Sequence, residues 1–165
     1  MTKLLQFDGQ TCALAQDDYV RIEDGEALPA QGAVILSLAR FEAEGDALLS
    51  EGRKVGVFLR ADEAVEALAY DLPRIPLVAL DFPKYRDGRA YSSAVVLRQR
   101  FAYRGEVRAV GDVLVDQAWN LVRCGFSTFE TAASPAAFAS AIHRFRHVYQ
   151  ASADHRTPVF AQRGA

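Results

Sequence analysis

Arg86, Asp87, Gly88 and Arg89 stand together in the stretch Phe82–Ser92 (FPKYRDGRAYS), between an apolar run and a helical pattern. Two guanidiniums, a carboxylate and a glycine at that junction are equipment for holding an anion. The planar N–H forks match carboxylate, phosphate and sulfur oxyanions, and a helix start adds backbone donors. Arg40 and Arg60 follow two earlier apolar runs, and Arg108 lies inside a later one. In a parallel sheet the C-terminal strand ends meet along one edge, where ligands bind, so Arg40, Arg60, Arg86 and Arg89 are expected there. The direction of Arg108 stays open. The candidate ligand-binding set is therefore Arg40, Arg60, Arg86, Asp87, Gly88, Arg89 and Arg108. Asp87 and Asp112 are the carboxylates placed for acid–base work. Two structural readings compete for the same residues: Asp87 paired with Arg89 in a plain turn, and Asp112 as a helix N-cap.

The elements that would position these residues alternate. Val34–Leu38, Lys54–Leu59 and Leu77–Phe82 are apolar on both faces, as central parallel strands are. Glu106–Val110 and Phe126–Glu130 alternate polar with apolar, which marks edge strands or strands lining a polar interior. Between them, helical periods are expected over Phe41–Ser50, from Asp62 to Leu72, over Gly88–Tyr103, from Gly111-Asp112 to Gly125, and from Ser134-Pro135 to about Gln150. Before them, residues 1–30 read as a small β-rich arm with hairpin signals at Asp8-Gly9 and Asp24-Gly25. The expected organisation is the arm (1–30), a βα-repeat domain (31–150) and an irregular tail (151–165). The expected fold is α/β, with a single parallel sheet of those five strands. It is either a flavodoxin-like open sheet, the favoured form, or a half (β/α)-barrel.

Composition narrows the chemistry. The chain of 165 residues is 50% hydrophobic and 24% charged, with a formal net charge of −2, which argues against a bulk nucleic-acid binder. The charge is uneven: residues 1–30 hold six carboxylates against two basic residues, and 84–108 hold seven basic residues against two carboxylates. That basic middle suits a local anion site or an acidic partner. No run reaches membrane-spanning length and no signal-peptide core precedes the first turn, so a cytoplasmic location is expected by default. Cys12 and Cys124 have no metal-ligand spacing. His143 and His147 have the i, i+4 spacing of a metal grip, but Arg144 and Arg146 between them would repel a cation, so no metal is expected. GxGxxG, P-loop and GxSxG patterns are absent, and no cofactor is assigned.

The stretch Phe82–Ser92, followed by Leu97-Arg98-Gln99-Arg100, Gly105–Leu114 (GEVRAVGDVL), Asp116-Gln117 and Arg123–Phe126 (RCGF), resembles the bacterial domain-of-unknown-function family 934. The likeness is specific over about 82–126 and extends more loosely over about 54–150. Ala102-Tyr103 replaces a more usual Gly-Tyr. The resemblance implies an association with assimilatory sulfite reduction, with a sulfite reductase subunit or a small anion as partner. It also implies an oxidoreductase label that these residues neither require nor exclude.

Overall fold

The structure is a computed structural model that describes residues 1–162. The aliphatic runs become β4 (Ala33–Ser37), β5 (Val55–Leu59) and β6 (Leu77–Phe82), and the two alternating runs become β7 (Glu106–Gly111) and β8 (Thr128–Thr131). The N-terminal arm adds β1 (Lys3–Phe7), β2 (Cys12–Leu14) and β3 (Tyr19–Arg21). All eight join one mixed sheet in the order β2-β1-β8-β7-β6-β5-β4-β3. Strands β3 to β8 are parallel, and β1 runs antiparallel to both β8 and β2.

This corrects the expectation of five parallel strands in an open sheet. From β3 to β8 each strand lies beside its successor, whereas a flavodoxin-like sheet reverses its order part-way. The result is a curled half-barrel, and the chain's own reach explains the curl. Eight flat strands would hold their outer edges about 34 Å apart, at about 4.8 Å per gap. Yet β2 and β3, the two edges, are joined only by Ala15–Asp18, and Leu14 to Tyr19 can span no more than about 18 Å. The sheet must bend until its edges approach, and the joining segment crosses the inside of the bend.

Side-chain alternation then separates two faces. Val34, Leu36, Val57, Leu59, Val78, Leu80, Phe82, Val107 and Phe129 point outward into one continuous core, each almost wholly buried. Burying an aliphatic or phenyl side chain contributes roughly 1.5–3 kcal/mol, so this face dominates the stability. It packs under α1 (Leu38–Ser50), α2 (Arg89–Val95, prolonged by a π-turn at Val96–Arg100), α3 (Ala118–Cys124) and α4 (Pro135–Ile142). Ser37 and Ser134 cap α1 and α4, their hydroxyls accepting from Arg40 N and Ala137 N, and Gly125 at φ +99° ends α3. The inner face holds a smaller apolar group, Ile35, Phe58, Leu77, Ala79 and Val110, among polar side chains. The alternation in β7 and β8 therefore reflects a polar interior and not a sheet edge.

Three helical periods are cut short. From Asp62 only a 3₁₀ turn at Val65–Leu68 forms. Glu63, not Asp62, ties the start of this segment, accepting from Arg60 N at 2.7 Å. A 3₁₀ turn at Val115–Gln117 precedes α3, and Asp112 lies outside both. Helix α4 stops at Ile142, because the next residues leave the helix to bury Val148 and to be held by Arg156, which donates to the carbonyls of Phe145 and Arg146. Asp8-Gly9 does turn the β1–β2 hairpin, the Asp8 carboxylate accepting from the backbone N–H groups of Gln10 and Thr11. Asp24-Gly25 turns the chain into a parallel pairing instead, β3 beside β4. The expected tail, 151–165, packs back through the buried Ala153 and Pro158 and ends in a short, unburied α5 (Val159–Gln162); positions 163–165 lie outside the described residues.

Candidate functional site at the strand ends

Strands β5 and β6 end side by side, and a cavity of about 440 Å³ opens where they do. Arg21, Arg60 and Arg89 line it with Phe58, Asp62 and Asp81. Arg60 follows β5 directly. Arg89 is the first residue of α2, reached from β6 through the loop at 83–88. Arg21 comes from β3, two strands along the sheet from β5: its guanidinium lies 3.7 Å above the Phe58 ring centroid, a cation–π contact on the inner face.

Each guanidinium has an acidic neighbour. Arg89 donates to both carboxylate oxygens of Asp87, at 2.9 and 2.5 Å, and Asp87 also accepts from Arg89 N at 3.2 Å. These bonds hold the Asp87 carboxyl down to about 2, so it stays ionised at neutral pH and makes a poor proton donor. Arg21 pairs with Glu23 at 3.2 Å, and Arg60 stands 3.9 Å from Asp24. All three arginine side chains keep roughly half their surface in solvent. Asp81 is the opposite case. Burial pushes its carboxyl above the ordinary range, against the pull of Arg21 and Arg60 and with a further push from Asp87. Gly111 makes room for it: at φ +90°, a Cβ there would lie 2.7 Å from Asp81 Oδ1 and 2.5 Å from the Phe82 carbonyl oxygen.

The other expected site residues go elsewhere. Arg86 is exposed and donates to the Tyr85 hydroxyl at 2.7 Å, outside the cavity. Gly88 starts α2 with an ordinary φ of −90°, so its position does not demand glycine. Asp112 accepts from Tyr85 N at 2.9 Å, and Gln117, itself buried, donates to the Tyr85 carbonyl; together they fix the loop after β6. Arg40 is bound to Glu44 and to the Glu23 carbonyl. Arg108 lies deep inside the curl, its guanidinium held by Asp17 at 2.8 Å, Glu106 at 2.9 Å and Glu130 at 3.5 Å. Burial pushes the Glu130 carboxyl up, with Arg108 opposing it. His143 accompanies Phe7 and the Gln10 carbonyl, off any helix shared with His147. Burial raises the Cys124 thiol, which outweighs the neighbouring Arg123, so a thiolate is disfavoured. Among the described residues no group of three His, Cys, Asp or Glu is set to hold a metal ion, and no helix is long and apolar enough to cross a membrane.

Sequence reasoning passed over Arg21 and Asp81. The signals were present: the polar–apolar–polar order of Tyr19-Val20-Arg21, and Asp81 as the one charged residue in the β6 run.

A family model described as a bacterial protein of unknown function, DUF934, matches residues 56–160. The chain belongs to the DUF934 family. The DUF934 match spans β6, β7, β8 and the helices between them, and takes in Arg60, Asp81 and Arg89. Arg21 comes from outside it, on the N-terminal arm. No curated protein matches the chain.

Proposed function

We propose that this protein binds a small oxyanion in the strand-end cavity and serves assimilatory sulfite reduction as an accessory protein. One observation carries the reading: three half-exposed guanidiniums, Arg21, Arg60 and Arg89, converge on one cavity from three separate segments. Fork-shaped donors on an accessible rim suit a tetrahedral or pyramidal oxyanion, and Arg21 and Arg60, whose carboxylate partners are exposed, can exchange them for a ligand at little cost. The sulfur class of the anion rests on the motif resemblance at Phe82–Ser92. An acidic side chain of a reductase subunit would meet the same donors.

A second reading, an enzyme acting on a sulfur oxyanion or a phosphorylated metabolite, draws on Asp81. A carboxyl raised by burial beside cations in a cleft is placed for general acid–base catalysis. Asp87 and Asp112, held by Arg89 and Tyr85 N, are occupied elsewhere.

Calorimetric titration with sulfite, sulfate and phosphate tests the first reading. Binding by the wild type that disappears in Arg60→Ala/Arg89→Ala, with the fold intact, supports it; equal binding by both sinks it. Turnover of sulfite, thiosulfate or adenylylated sulfate with an electron donor supplied, lost in Asp81→Asn, would favour the enzyme. The pathway is tested by growth of a deletion strain. A defect on sulfate and sulfite that cysteine relieves supports it, and equal growth on all three removes it.

A further inference from the structure

A second cavity, of about 690 Å³, lies away from the strand ends and shares no lining residue with them. It sits between α3, α4 and the returning segment 143–156. Its size falls within the range of small-molecule sites, and its lining is divided. One part is aromatic: Trp119, Phe126 and Phe7, with Phe145 set edge-on to the indole at 4.9 Å between ring centroids. The other is cationic.

Arg98, Arg123, Arg146 and Arg156 line the cavity with His143, and the one carboxylate among the lining residues is Asp154, which pairs with Arg123 at 3.4 Å. Among the described residues the remaining three arginines have no ion-pair partner. Arg98 and Arg156 donate to backbone carbonyls only, three of them for the partly buried Arg98 and two for Arg156. Carbonyl dipoles orient a guanidinium without neutralising it, so positive charge gathers on an apolar, partly enclosed space.

We propose that this cavity binds a planar aromatic anion, its ring on the Trp119 wall and its charged group at the Arg146–Arg156 rim. An inorganic anion would leave the aromatic wall wet. A neutral aromatic would leave the guanidiniums uncompensated. A ligand joining both parts satisfies the whole lining.

Trp119 is the chain's one tryptophan, so its fluorescence reports on this wall alone. The full chain is titrated with adenosine monophosphate and with anilinonaphthalene sulfonate as aromatic anions, and with adenosine and inorganic phosphate as the separated halves. The expected result is a saturable change with both aromatic anions and affinities at least about tenfold weaker for adenosine and phosphate. Arg146→Ala, on an exposed side chain that the fold does not use, weakens the aromatic anions about fivefold. Arg144→Ala removes the same charge two positions away, outside the cavity and opposite Asp116, and leaves the affinities unchanged. No saturable change with either aromatic anion, equal losses in the two variants, or phosphate binding as tightly as adenosine monophosphate would each overturn the proposal.

Discussion

The inside of the curl holds arginines at two levels, and they do opposite work. At the lower level the Arg108 guanidinium, 2% exposed, is surrounded by Asp17, Glu106 and Glu130. At the upper level Arg21, Arg60 and Arg89 each have one acidic partner and open water beside them. A buried cation that is more than matched by carboxylates is a structural bolt, because releasing any partner strands a charge in a poor solvent. A half-exposed cation can change partners freely. The same residue type is thus fixed at one level of the curl and available at the other, and burial decides which.

Removing the bolt tests this most severely. Arg108→Ala leaves three carboxylates facing one another and is expected to lower stability by about 3–5 kcal/mol at neutral pH, read by urea unfolding. The loss should shrink on acidification. Burial raises the Glu130 carboxyl, so it takes up a proton early as pH falls and relieves the excess negative charge. A loss that stays constant with pH would mean the residue acts by packing alone.

Next in size is Gly111→Ala, expected to cost about 1–3 kcal/mol, since the new Cβ would meet the Phe82 carbonyl in a backbone conformation that disfavours it. Gly88→Ala, at ordinary φ and with only an ordinary contact to Tyr91 at 3.9 Å, should move stability by less than about 0.5 kcal/mol. Equal effects at the two glycines would show that the strand-end backbone is looser than described.

At the upper level the arginines should matter little to the fold. Arg60→Ala/Arg89→Ala is expected to change unfolding free energy by less than about 1 kcal/mol, as exposed ion pairs do. The neighbouring carboxyls differ in sign. Asp87 is lowered by Arg89, so its contribution is present above its ordinary pKa of 3.8 and disappears as pH falls toward about 2. Asp81 is raised, so it is best tolerated while protonated, and its penalty appears as pH rises through the raised value. Asp81→Asn should therefore stabilise the protein slightly at neutral pH and leave it unchanged in acid. Stabilisation of the same size at both ends of the titration would show that charge is not the cause.

Much of this was legible in the chain, for stated reasons. Leu77–Phe82 reads as a strand because its β-branched and aliphatic run is buried on both sides, and it forms over those residues. Ser134-Pro135 reads as a helix start because cap and N1 proline act locally. The order of the strands was not legible. Tyr19–Arg21 carries the same local pattern whether it folds into a hairpin or lies parallel to β4, and only the pairing of distant segments decides. Arg108 shows the same limit. Its place in an alternating strand was plain, but whether the alternation faced solvent or an interior depended on the curl. The strand-end arginines were readable as a class, while Arg21 joins them only because β3 pairs beside β4.

The N-terminal arm has a consequence for how the molecule is made. Lys3 pairs opposite Thr131, and β3 closes the far margin beside β4, so the earliest segments seal both sides of a sheet whose centre is translated later. The β1–β2 hairpin must wait for β8 to be synthesised, and long-range pairings of that kind form slowly. Until then two strands and the unpaired carboxylate of Asp17 stay in water. Completion of the curl is therefore expected to be the slow phase of refolding, one that an Asp17→Ala change would lengthen by removing the contact that draws the arm in to Arg108.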